Sequence, residues 1–368
     1  MRKHCCLLLI ICMIMAGGCA TARRGSSAAA SSTVSRAPAA SKGMYAYEHL
    51  SEVEKEVYNV MEETLVDHAE SARVETLSDD DMKKVFFFVL KDHPEIFWCS
   101  SFIRSSTKKG DGTVITEFKP EYAMTKEERY IFKEKIDQVA AAWLAGVPAD
   151  ASDYTKAKVI FDAIVSNVEY DAESDENQNI ISVFVNKSSV CSGYSKAFQY
   201  LLAKVGIEST LVKGDANEGA HAWNLVKLDG DYYYFDVTWG DPSFSSRKDI
   251  TDFIDYSYFA VTSEELMRTH RIEDELEMPE CTAVRDNYYI NEGLVFDSAD
   301  FNLVGSAIRN ASLAGENSVS LKFSDRALYD QAIDYFVKKN HIFDFYSSAK
   351  KVFMYNNDEL NIMNILFR

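Results

Sequence analysis

The sequence predicts an α+β protein, and three observations carry that prediction. Phe198, Leu201, Leu202 and Val205 fall at i, i+3, i+4 and i+7, with Gly206 as the stop, which describes an amphipathic helix. The runs "GAHAWNLVKL" and "DYYYFDVTW" flank Asp229-Gly230, a strong signal for a two-residue hairpin turn. From about residue 287, extended and helical patterns alternate to the C-terminus.

The chain opens with a segment outside the fold. Arg2 and Lys3 precede an apolar run from Leu7 to Met15, then Ala16-Gly17-Gly18-Cys19. A basic start, a short apolar stretch and small residues describe an export signal over residues 1–18, too short for an ordinary spanning helix. Small residues ahead of Cys19 also resemble the lipobox of bacterial lipoproteins. That resemblance implies cleavage before Cys19, acylation of its sulfur, and a membrane-anchored protein on the periplasmic or extracellular face of the cell envelope. Residues 19–43 are nearly all Ala, Ser, Gly and scattered Arg, with too few large side chains to bury, so they read as a flexible tether.

Residues 44–150 read as mixed and mostly helical. Leu50, Val53, Val57, Val60, Met61 and Leu65 share helical spacing. Ser78, followed by Asp79, Asp80 and Asp81, reads as an N-cap with acids in the first turn rather than as a metal site. "VITEFKPEY" reads as a strand, and a long helix runs from Thr125 to a stop at Gly146. Within 151–280, Ile160, Ile164 and Val168 form one helical stripe, and Thr262 with Glu265 caps a short helix. His270 reads as a histidine at that helix's end. Residues 281–368 read as a small α+β module: strand 288–296, helix 301–313, strand 318–324, helix 326–339, and a final extended stretch to 367.

Composition narrows the function. Lys+Arg total 39 against 57 Asp+Glu, a net charge of −18, which speaks against nucleic acid and anionic lipid surfaces as partners. Four of seven cysteines lie in the leader or at Cys19, leaving Cys99, Cys191 and Cys281 in the body, so this is no disulfide scaffold. No H-E-x-x-H, C-x-x-C or G-x-x-x-x-G-K-[ST] occurs, so neither a metal nor a nucleotide cofactor is expected. "DAESDENQN", residues 171–179, reads as a solvated acidic loop rather than a calcium site.

Cys191 sits where the helix begins, in "SSVCSGYSKAF". There its sulfur meets unpaired amides and the positive end of the helix dipole, which favour a thiolate and face an oxyanion. A lone cysteine at such a place is more commonly small apolar filling. The hairpin supplies the rest. Its turn sets Leu228 opposite Asp231, hence His221 opposite Thr238 and Trp223 opposite Asp236. His221 and Asp236 then become diagonal neighbours on one face. An imidazole takes the thiol proton, and a carboxylate on the far ring nitrogen fixes the tautomer and stabilises the imidazolium.

"VCSGYSKAFQYLLAKVGIES" followed by "HAWNLVKLDGDYYYFDVTWGDP" resembles the core of the bacterial transglutaminase-like superfamily. The resemblance implies a papain-like core, a cysteine helix packed on an antiparallel sheet, with Cys191 as nucleophile, His221 as base and Asp236 as orienting acid. It implies a second oxyanion donor upstream of the cysteine, for which Gln178 and Tyr170 are the candidates. Trp223, Asn224 and Trp239 belong to the motif as well, where core packing explains them as readily as cleft lining. The expected chemistry is thiol acyl transfer on protein or peptide amides, ending in hydrolysis as in a cysteine peptidase. The alternatives are cross-linking to an amine, or a non-catalytic tethered binding domain whose C-terminal module contacts a protein partner.

Overall fold

A computed structural model describes residues 43–217, 219–241, 253–346 and 351–367. The leader, the tether and Cys19 fall outside the described residues. Among the described residues no helix is long and apolar enough to cross a membrane.

The first stretch holds helices α1 (Tyr45–Glu48), α2 (Glu52–Asp67), α3 (Asp79–Asp92) and α4 (Lys126–Leu144). Ser78 caps α3 by accepting from the Asp81 amide at 3.1 Å, and Thr125 with Glu128 forms a capping box on α4. Between them lie β1 (Ala72–Val74), β2 (Cys99–Lys108) and β3 (Val114–Tyr122), an antiparallel sheet in the order β1-β3-β2. Of these strands only β3 shows in the sequence pattern. The serine-rich β2 buries little beyond Cys99 and has no apolar alternation; its pairing with β3 fixes it, from Lys108 opposite Val114 to Cys99 opposite Tyr122. The region is therefore less helical than its sequence pattern suggests.

The central stretch runs α5 (Asp153–Asn167), β4 (Glu169–Tyr170), β5 (Ser188–Ser189), α6 (Cys191–Lys204), β6 (Ser209–Ala216), β7 (Gly219–Leu228), β8 (Asp231–Phe235), α7 (Ser263–Leu266) and β9 (His270–Ile272). Strands β8-β7-β6-β9 form an antiparallel sheet in that order. The hairpin register is the expected one, Leu228 opposite Asp231 and Asn224 opposite Phe235. Asp229 and Gly230 both have positive φ, 47° and 97°, the two-residue turn whose twist matches paired strands. The ladder stops at Phe235. Asp236 instead donates its amide to Tyr258 O at 3.0 Å, so the chain leaves β7 just where the carboxylate is presented.

Helix α6 packs across β6 and β7 through the predicted apolar stripe. Phe198, Leu201 and Leu202 are wholly buried, and the Phe198 ring meets Phe161 and Phe235 with centroids 6.1 and 5.5 Å away. Burial of each such ring is worth about 2–3 kcal/mol. The result is a papain-like arrangement, a cysteine-headed helix against an antiparallel sheet.

His270 departs from the sequence reading. It opens β9, paired to β6 with His270 opposite Ala216, rather than closing a helix. Gly214 permits this pairing. A Cβ on Gly214 would lie 2.0 Å from Arg271 O and 2.7 Å from the Trp223 ring, so no side chain fits between β6 and β9.

The last stretch has α8 (Tyr288–Asn291), β10 (Val295–Phe296), α9 (Phe301–Leu313), β11 (Ser318–Phe323), α10 (Arg326–Ala332), α11 (Ile342–Phe345), β12 (Val352–Met354) and β13 (Ile362–Phe367). The sheet order is β10-β11-β13-β12, around a second core of Val304, Ile308, Leu321, Phe336, Met363 and Ile365. The run 288–296 divides into a helical turn and a two-residue strand, and the final extended stretch is a hairpin.

Gly214→Ala forces either β9 or Trp223 to move and is expected to cost about 2 kcal/mol or more, read from urea unfolding. An unchanged midpoint would mean that β9 is not held this closely.

Candidate functional site

Val190, in extended conformation, is the N-cap of α6, and Cys191 is its first helical residue, half-buried. The amides of Gly193 and Tyr194 both donate to Val190 O, leaving those of Cys191 and Ser192 without an intrahelical acceptor. Three buried hydrogen bonds hold the helix start. Asn224 Nδ2 donates to Ser195 O at 3.0 Å, Ser195 Oγ donates to Ala222 O at 2.9 Å, and Tyr194 Oη donates to Asp241 Oδ2 at 2.6 Å.

Strand β7 carries His221, whose Nε2 donates to Asp236 Oδ2 at 2.8 Å. The Cys191 thiol hydrogen-bonds the same imidazole, and Nδ1 is the ring nitrogen left for it. Asp236 is wholly buried yet fully satisfied. Its Oδ1 accepts from the amides of Thr238 and Trp239 at 3.0 and 3.2 Å, and its Oδ2 accepts from His270 Nε2 at 3.2 Å besides His221. Burial opposes its charge, but the His221 and His270 imidazoles outweigh this and hold the carboxyl well below the usual range. Burial likewise opposes the His221 charge, while Asp236 and then Cys191 raise the imidazole to about 10. The site favours an imidazolium beside the Asp236 carboxylate.

His270 is the member that sequence reasoning missed. Its Nδ1 lies 2.9 Å from Thr269 Oγ1, which lies 2.6 Å from Tyr258 Oη. A hydrogen-bonded line therefore runs from Tyr258 through Thr269, His270 and Asp236 to His221. His221, Asp236 and His270 offer ligand atoms within 4.8 Å of one another, as three metal ligands would. Both Nε2 atoms are already engaged on the same carboxylate oxygen.

The other expected residues separate into two groups. Tyr170, on β4, is half-buried beside the triad: burial, then the charges of Cys191 and Asp236, push its phenol up. Gln178 is exposed, and its carboxamide donates to Asn177 Oδ1 at 3.1 Å. Trp223 and Asn224 are wholly buried, so neither lines a cleft. Asn224 fastens α6 to β7. Trp223 packs under the imidazoles, its ring centroid 4.9 Å from His270 and 6.0 Å from His221. Trp239, half-buried, places its ring 5.8 Å from His221 and 4.6 Å from His270. Cys99 and Cys281 are buried free thiols, pushed up to about 11 and 12 by burial.

Residues 141–237 match the family model of the transglutaminase-like superfamily. This part of the chain is a transglutaminase-like superfamily domain. No curated protein matches the chain. Similar solved structures include a TGase, 17% identical over 37% of this chain and 43% of that one, with a TM-score of 0.28. Another is a protein of Cytophaga hutchinsonii provisionally named a cysteine protease, 14% identical over 38% of this chain and 62% of that one, TM-score 0.25. A third is the periplasmic domain of TgpA from Pseudomonas aeruginosa, 15% identical over 34% of this chain and 54% of that one, TM-score 0.24. The chain spans less than two thirds of the length of each of these structures.

The paired charges of the transglutaminase-like site give stability a defined pH window. His221, raised from 6.5 to about 10, contributes fully below about pH 6.5 and loses its contribution as pH rises through 10. Asp236, lowered from 3.8, contributes above that value and loses its contribution as pH falls through its own lower pKa. Asp236→Asn is therefore expected to be less stable by about 3–5 kcal/mol between pH 4 and 6.5, with the deficit narrowing towards pH 10. Denaturant unfolding at several pH values measures this. A pH-independent deficit would contradict the ion pair.

Proposed function

We propose that the protein is a thiol-dependent hydrolase of peptide amide bonds, with Cys191 as nucleophile, His221 as general base and acid, and Asp236 as the orienting carboxylate. The observation that supports this reading is the continuous hydrogen-bonded line Cys191–His221–Asp236, set at a helix N-terminus and carrying a raised imidazole.

Cys191 gives its proton to His221 Nδ1, and its sulfur attacks the amide carbon. The carbonyl oxygen becomes an oxyanion facing the Cys191 and Ser192 amides, with the Tyr170 phenol as a further donor. The C–N bond breaks, the amine leaves with the His221 proton, and an acyl-thioester remains. Water then attacks with His221 accepting its proton, and the thiolate departs from the carboxylic acid product. Asp236 holds Nε2–H throughout and stabilises the imidazolium. An amine in place of water would give cross-linking instead. No metal, nucleotide or other cofactor enters these steps.

Export and a lipid anchor through Cys19 belong to the same reading. They would hold the enzyme at the cell envelope on an Ala/Ser-rich tether, acting on proteins or envelope peptides, with the C-terminal module free to contact a partner.

The test is incubation of the protein with denatured casein and a labelled primary amine. New N-termini that require Cys191, with no amine incorporated, are expected. Cys191-dependent amine incorporation would instead make the protein a transglutaminase. Iodoacetamide should alkylate Cys191 rapidly at pH 6, and His221→Ala should slow it about 100-fold, the scale of losing a positioned base. A rate that rises only near pH 8–9 in both forms would contradict the thiolate–imidazolium pair.

A further inference from the structure

Beside the nucleophile lies a groove of about 440 Å³, bounded by α3, the first turns of α6, β6 and residues 273–275. Ser192 and Lys196, one turn apart on one face of α6, open into it, and Lys213 enters from β6. Five residues of helix place Lys196 about 7.5 Å along the axis from Cys191. Those five residues also turn Lys196 about 140° around the axis, beyond Ser192 at about 100°, so a substrate residue two or more positions from the scissile bond, at about 3.4 Å per extended residue, is needed to reach it. Phe87, about half-exposed, and Leu211 supply an apolar wall.

The groove is lined by three lysines, Lys91, Lys196 and Lys213, and three carboxylates, Glu273, Asp274 and Glu275, but they are not all paired with one another. Lys91 is paired with Asp274 at 2.6 Å, and Asp274 also accepts from the Lys213 and Leu276 amides at 3.0 and 3.1 Å. Glu273 accepts from Arg271 Nε at 3.0 Å. Glu275 is exposed at the rim. Lys196 Nζ has only a neutral partner, Gln178 O at 2.7 Å. Among the described residues no carboxylate pairs with Lys196 or Lys213, in a chain whose net charge is −18. A cation removed from water next to a second cation is costly until an anion arrives.

We propose that this groove is the subsite for a carboxylate-bearing substrate residue, so that the enzyme selects acidic peptides through Lys196 and Lys213. The assignment rests on the thiol acyl chemistry proposed above and adds the substrate class. It also carries a pH signature. Burial, then Lys213, lowers Lys196 to about 8, so the free groove holds its full charge below that pH and loses part of it above. Selection for acidic residues is accordingly strongest below pH 8, and it weakens with salt.

The test uses three iodoacetylated dipeptide amides differing only in Glu, Gln or Lys, with Cys191 labelling followed by mass spectrometry at pH 7. In the wild-type protein the Glu reagent is expected to react about tenfold faster than the Gln reagent, the scale of one charge-assisted hydrogen bond, and the Lys reagent slowest. Lys196→Met should bring the Glu and Gln rates together, and Lys196→Arg should restore the preference and extend it above pH 8. Lys213→Met, which removes no hydrogen bond to the 171–179 loop, should lower the preference without disturbing that loop. Equal Glu and Gln rates in the wild type, or a preference unchanged in both lysine-to-methionine variants, would overturn the proposal. Iodoacetamide rates read the thiol separately: a slow, His221-independent thiol sinks the proposed chemistry while leaving the Glu-to-Gln ratio measurable.

Discussion

A single buried carboxylate organises the central part of this protein. Asp236 is shut away from water, where an uncompensated charge would cost several kcal/mol, and it is held ionised by four donors: two amides and two imidazoles. The four donors arrive on three pieces of chain. The amides come from the tight turn after Asp236, His221 from β7, and His270 from β9. Closing the sheet and satisfying the charge are thus the same event. Cys191 joins from outside the sheet, at the head of a helix fastened to β7 through Asn224 and Ser195.

Much of this was legible in the sequence, because the deciding features are local. A two-residue Asp-Gly turn fixes which residues share a face, and that alone brings His221 and Asp236 together. Glycine and apolar spacing likewise place Cys191 at a helix start. What escaped is non-local. His270 lies 34 residues beyond Asp236, in a three-residue strand whose partner is β6. Three residues carry no alternation to read, and the pairing depends on Gly214 having no side chain. β2 escaped for a related reason, since an exposed serine-rich strand is defined by its partner rather than by its own pattern.

The motif residues around the triad divide by burial, which residue type alone does not reveal. Trp223 and Asn224 resemble binding residues in sequence but serve as the bed on which the histidines and the helix rest. Tyr170 stays beside the thiol and carboxylate, while Gln178 is turned to solvent with its carbonyl holding Lys196. The groove lined by Ser192 and Lys196 then differs in kind from the triad. The triad's charges are matched within the protein, whereas Lys196 and Lys213 are left for something else to match.

The proposed chemistry requires His221 to stand as an imidazolium between Asp236 and Cys191 well above its ordinary range. Nitrogen-15 NMR of the histidine-labelled protein measures this directly, with the His221 signals identified by their loss in His221→Ala. Both ring nitrogens are expected to be protonated at pH 8, with a midpoint near 10. A neutral His221 ring at pH 8, titrating near 6.5, would contradict it.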